Sequence, residues 1–234
     1  MTKVGAIARR DVIALVVSPA GWALATLFVA VTSAFGFVVP VLAGRAATLD
    51  GVFGLITRFL IPIVIPVITM RVFADEQRPI RRWEVATGKW LGAFTFYVLL
   101  LATTLVYLAV LGVYVPGHLG ALDLGLIGAM YVGLLLVGAA ATAIGVLASC
   151  LVRSQLKAFF LALAVLLVTW YAGSLLGLLT QPPVSRLFLY AGGFNRFQFF
   201  SLGQVALKDA VYFLSVAAGA LFLAMRLVES RRSR

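Results

Sequence analysis

Long apolar runs alternate with short polar knots along the chain. Ala20 to about Ala43, Val52 to Ala74, Lys89 to Val115, Leu124 to Val152, Ala158 to Leu179 and Lys208 to Met225 carry very little charge within them. A helix needs about 20 such residues, rising 1.5 Å each, to cross about 30 Å of hydrocarbon. The pattern therefore predicts an all-α membrane protein with six transmembrane helices in a single domain, 1–234. The strongest knot is Val67–Gly92, an elbow between spans two and three. It holds Arg71, Arg78, Arg81, Arg82 and Lys89 beside Asp75, Glu76 and Glu84, a charge density that belongs in water between two membrane spans.

Several features qualify individual spans. Met1 to Asp11 reads as a short basic lead, and Pro19 stands where a helix begins comfortably. The first ten residues are polar and the apolar run after them is too long for a signal core, so the first span is expected to be retained. Span two carries Pro62 and Pro66, four residues apart on one face, and predicts a kink. That kink is either a packing feature or a transport hinge. Arg58 lies about 9 Å inside the outer end of the same span. Its side chain either snorkels outward or lines a polar pathway. Span four is rich in glycine and alanine, which suits either a central position in the bundle or a ligand groove. Gly173 and Gly177 in span five form a GxxxG pattern that points weakly to helix packing. Thr180 to Leu207 is too apolar for a solvated loop and too broken by Gly192-Gly193 for a span. It reads as an external segment of half-helices, dipping into the outer interface or capping the bundle.

Composition agrees with the pattern. The chain is 63% hydrophobic and 12% charged, with a mean hydropathy of +1.09, whereas soluble domains carry about 25% charge. A net charge of +11 would suggest nucleic acid in a soluble protein. Here the bases flank apolar runs and follow the positive-inside rule, so no nucleic acid is expected. Lys3, Arg9, Arg10, Arg71, Arg78, Arg81, Arg82, Lys89, Arg153, Lys157, Arg226, Arg231, Arg232 and Arg234 fall on the face of the termini; Arg45, Arg186, Arg196 and Lys208 fall on the other. Both termini and the elbow are therefore expected in the cytoplasm, the chain being a multi-pass protein of the cell (inner) membrane.

The chemistry is sparse. One cysteine, Cys150, excludes an internal disulfide and a cysteine metal cluster, and the one histidine, His118, reads as a loop residue. No G-x-x-x-x-G-K-[ST] loop is present to cradle nucleotide phosphates. The acidic residues fall in turns or at span ends, so no paired intramembrane carboxylates are expected. Such a bundle is not an enzyme by itself, and it is expected to hold no cofactor.

Met70-Arg71-Val72-Phe73-Ala74-Asp75-Glu76, then Trp83-Glu84-Val85 and Gly88-Lys89-Trp90-Leu91-Gly92, resembles the cytoplasmic loop of type-2 ABC exporter permeases. The subgroup it is most similar to serves gliding motility and nitrous-oxide-reductase maturation. Arg9-Arg10-Asp11 with Ser18-Pro19, and Asp209 to Ser215 with Val228 to Arg232, are similar to that family's opening and close. The resemblance implies a permease subunit that dimerises with a second copy or a homologous permease. Two separate ATPase subunits, which would carry ATP and Mg, then drive it from beneath the membrane. It also implies that Glu76, Arg78, Trp83 and Glu84 contact the ATPase, and that an external re-entrant segment lies before the last span. One departure stands out: the family places a Gly-Thr and a Leu/Glu-rich stretch between the acidic pair and Trp-Glu, whereas here Arg78 runs directly into Pro79-Ile80-Arg81-Arg82-Trp83. The alternative reading is a non-transporting anchor subunit of an assembly or motility complex. Neither the substrate nor the direction of transport is legible in these residues.

Overall fold

The computed structural model describes residues 3–39, 49–70, 82–114, 123–152, 154–179, 184–186 and 192–230, all of them helix or short connection. Six helices are long and apolar enough to cross a membrane: α2 (Pro19–Val38), α3 (Gly51–Thr69), α4 (Glu84–Leu111), α5 (Leu124–Leu151), α6 (Gln155–Leu179) and α8 (Leu207–Val228). These are the six expected spans, shifted by a few residues at their ends. Two shorter helices, α1 (Lys3–Val17) and α7 (Gly193–Ser201), complete the described chain. Six crossings return the chain to the end where it began, called here the terminal end.

The basic lead continues into a full helix over residues 3 to 17, and Ser18 breaks it from α2. The Ser18 hydroxyl donates to the Leu15 carbonyl at 3.0 Å and accepts the Gly21 N–H at 2.9 Å, so one side chain closes α1 and caps α2. The helix lies against α4 where glycines clear the way: a Cβ at Gly88 would stand 3.0 Å from Ile7, and one at Gly92 3.1 Å from Asp11. Ile7 and Ala8 are buried in this seam, while Ile13 and Val17 are exposed and apolar and Arg9 and Arg10 are exposed and charged. That division suits a helix lying in a membrane interface.

The bundle is built around α5. Of its apolar window 78% is buried, against 22% for α2 and for α6, so the glycine-rich span is the axis and its neighbours meet lipid. Its small residues work as expected of close packing in lipid. A Cβ at Gly138 would overlap the ring of Tyr97, which is itself buried. From that position the Tyr97 hydroxyl donates to the Leu134 carbonyl at 3.0 Å, and Trp90 Nε1 donates to the Ala139 carbonyl at 3.1 Å. Asp123 caps the far end of α5 by accepting from Gly125 and Leu126.

Two spans carry wide π-helical turns, Thr32–Val38 in α2 and Ile56–Leu60 in α3. The first of them lies against the start of α3, with Gly36 admitting the Val52 backbone. A polar side chain in the helical ladder is one cause of such a turn. The Thr32 hydroxyl meets the Phe28 carbonyl at 2.8 Å and the Tyr107 hydroxyl of α4 at 2.7 Å. In α3 the cause is Pro62, just past the turn, which has no N–H to return to the ladder.

Candidate functional site

The segment before the last span is the least ordinary part of the molecule. α7 begins at Gly193, whose added Cβ would stand 3.1 Å from the Trp170 ring of α6, and a Cβ added at the preceding Gly192 would stand 3.2 Å from the Gly173 backbone. Gly173 thus accommodates the entry to α7, which is what its half of the GxxxG pattern does here. At its other end α7 sets Phe200 against Gly133 of α5, 2.8 Å from where a Cβ would be. Gly133 lies nine residues from the far end of α5 and Gly173 six from the far end of α6, so α7 sits about 9–13 Å inside the span ends. Phe197 and Phe200 are buried. The helix packs into the core through Phe197 and Phe200, while Phe199 stays exposed.

A buried ion pair anchors it. Arg196 Nη1 donates to Asp209 Oδ1 at 2.7 Å, with side-chain exposures of 6% and 1%, and Arg196 Cζ lies 4.1 Å from the centre of the Tyr212 ring. Asp209 Oδ2 is buried without a hydrogen-bond partner. The pair ties α7 to the first turn of α8, where a carboxylate also meets the positive end of the helix dipole. Sequence reading counted Arg196 among loop bases and Asp209 among span-end acids. Thirteen residues of separation and a break between two helices leave no periodic signal that would join them.

Beside α7 lies a half-open cavity of about 250 Å³, lined by Phe53, Gly54, Thr57 and Arg58 of α3, Met130 of α5, and Phe194, Phe197, Gln198 and Ser201 of α7. Arg58 sits over the Phe194 ring, with Cζ 5.5 Å from its centre. The side chain of Arg58 is exposed and also borders this cavity. The kink residues stand one turn further along. Pro62 cannot donate to the Arg58 carbonyl, and the Tyr171 hydroxyl of α6 replaces the missing donor at 2.7 Å. Pro62 also lines a second, apolar cavity of about 80 Å³ with Trp170, whose buried Nε1 has no partner. Pro66 is buried inside the same helix. The break in the α3 hydrogen-bond ladder is thus bridged by a bond from a neighbouring span and bordered by empty space.

At the terminal end, two of the four residues expected to contact an ATPase, Glu76 and Arg78, lie outside the described residues. Trp83 is in the first turn of the helix that continues into α4, and its side chain is likewise not described. Glu84 follows it, and its Oε2 is buried without a hydrogen-bond partner. Lys89, grouped with the elbow charges from sequence, is inside α4 and buried. Among the described residues no group of three His, Cys, Asp or Glu could hold a metal ion, and Cys150 is a buried free thiol.

A bundle with six helices long and apolar enough to cross a membrane is the architecture of a multi-pass membrane protein. The sequence profile described as ABC-2 family transporter protein matches residues 5–187, and the chain belongs to that family. No curated protein matches it.

Proposed function

We propose that this chain is the permease subunit of an ATP-driven exporter, working as a dimer with a second copy or a homologous permease. Separate ATPase subunits dock at the elbow and supply ATP and Mg. The observation that carries the docking reading is Glu84: a carboxylate oxygen buried at the start of α4 without a donor is costly unless a partner provides one. An Arg or Lys of the ATPase supplies that donor in the assembled transporter. With the excess of Lys and Arg at the terminal end, both termini lie in the cytoplasm of the inner membrane. The anchor alternative gives no role to a polar cavity beside α7, whereas a transport pathway gives it one.

Co-expression with the ATPase encoded beside it should give a stable complex, while the chain purified alone should not hydrolyse ATP. Within that complex Glu84→Ala should weaken association by about 2 kcal/mol, roughly thirtyfold, as truncating a desolvated contact does. Unchanged affinity would remove Glu84 from the contact and leave the docking to residues of the loop itself.

A further inference from the structure

We propose that the cavity between α3, α5 and α7 binds the oxyanion headgroup of an amphiphile, with Arg58 as the counter-ion. Arg58 stands seven residues inside the far end of α3, about 10 Å deep, where a lone cation is expensive and marks a functional site. Among the described residues it pairs with no carboxylate; its one recorded partner is the face of Phe194, 5.5 Å away. The Tyr171 hydroxyl fixes the Arg58 carbonyl at 2.7 Å, so the root of the side chain is held while its head remains available.

The rest of the wall has the matching polarity. The Thr57 hydroxyl donates to Phe53 at 2.6 Å and that of Ser201 to the Gln198 carbonyl at 2.8 Å, so both protons are used within their own helices. The donors left for a ligand are the Arg58 fork and the Gln198 amide, which is exposed and makes no side-chain hydrogen bond. Among the described residues no carboxylate lines the cavity. Donors without an acidic neighbour suit an oxyanion and repel a cation, and the guanidinium fork matches phosphate or carboxylate in a bidentate fashion.

Size and surroundings decide between a free ion and an amphiphile. About 250 Å³ is below the 300–1,000 Å³ usual for whole drug-sized ligands, but it is ample for a headgroup. Next to Arg58, the α3 surface exposes Phe59 and Ile63, 59% and 48% accessible. That apolar strip gives a ligand's chain a lipid-side path while its headgroup occupies the cavity. The inference rests on the permease reading only in making the bound amphiphile the cargo.

The test is binding to the purified chain without any ATPase, so a failure here leaves the coupling reading untouched. Native mass spectrometry in detergent would compare short-chain phosphatidate, short-chain phosphatidylcholine and inorganic phosphate. Phosphatidate should bind saturably and at least tenfold tighter than either of the others. Equal binding of phosphatidylcholine would overturn recognition by charge, and equal binding of inorganic phosphate would overturn the amphiphile. Arg58→Gln should lose at least tenfold for phosphatidate, with Arg58→Lys recovering part of it, because Lys keeps the charge but not the fork. Wild-type affinity in Arg58→Gln would sink the assignment. The ranking of the three probes on the wild-type chain decides the matter if that variant does not fold.

Discussion

Asp209→Ala removes one half of a pair whose other half, Arg196, is 5% exposed. The bond is 2.7 Å long and the Tyr212 face already occupies one side of the guanidinium, so water has little access to the stranded charge. Breaking a buried pair from one side costs about 3–5 kcal/mol, mostly because of the uncompensated charge left behind. For a chain of this length each kcal/mol moves the midpoint by about 2–4 °C, so the apparent melting temperature in detergent should fall by roughly 6–20 °C. Arg196→Met should do comparable damage by stranding the carboxylate. The double variant Arg196→Met with Asp209→Leu fills the space with apolar atoms and should be less damaged than either single change. Tryptophan-fluorescence melting at a fixed scan rate reads all four proteins. Additive losses, or a shift below about 2 °C for Asp209→Ala, would refute the claim that the two charges depend on one another.

Three further outcomes follow from the same geometry. Tyr171→Phe leaves the Arg58 carbonyl without its 2.7 Å donor and should cost about 1–3 kcal/mol in the same melt; no loss would mean that the kink at Pro62 is satisfied without α6. Gly138→Leu should destabilise by more than about 1 kcal/mol, since its Cβ already overlaps the buried Tyr97 ring, and an unchanged melting temperature would count against α5 as the packing axis. In intact cells an impermeant thiol reagent should label Val184→Cys, which is 48% exposed, and should not reach Ser230→Cys, whereas the opposite pattern would invert the membrane orientation.

The spans were legible because a lipid environment imposes one requirement, about 20 apolar residues per crossing, and that requirement is written locally. Asp123 and Pro19 sit at helix starts for reasons visible in a few residues. Two features less legible in the sequence depend on contacts between distant segments. α1 carries three basic residues, and only the cleared seam at Gly88 and Gly92, some eighty residues on, makes its Ile7 face worth burying. α7 has a broken, aromatic-rich sequence, and its depth is set by Gly133 and Gly173 on two other helices. Arg58, Pro62 and Pro66 were singled out because a charge and two prolines are conspicuous in an apolar span. Nothing in the sequence pointed to Tyr171, whose hydroxyl reaches the Arg58 carbonyl from across the bundle.

The side-chain bonds divide the bundle into a stiff half and a pliable one. α4 is fixed in register on α5 by two bonds to main-chain carbonyls, Tyr97 to Leu134 and Trp90 to Ala139, and a carbonyl acceptor cannot slide by a turn without losing its donor. α1 lies on the same pair through Gly88 and Gly92, and α7 rests on α5 through Gly133. Glu84, at the terminal end of α4, therefore stands on the same rigid body that supports the wall of the polar cavity. α3 also packs on α5, with Thr69 against Gly145, but its ladder is opened by a π turn and two prolines, an 80 Å³ void borders Pro62, and the Tyr171 hydroxyl of α6 meets the Arg58 carbonyl. Helices bend where the ladder is already broken and space is available. A push at Glu84 that reaches the cavity by this route moves Phe197 and Gln198 with α5, while Arg58 stays with α3, so the cavity's two sources of free hydrogen-bond donors separate or close on one another.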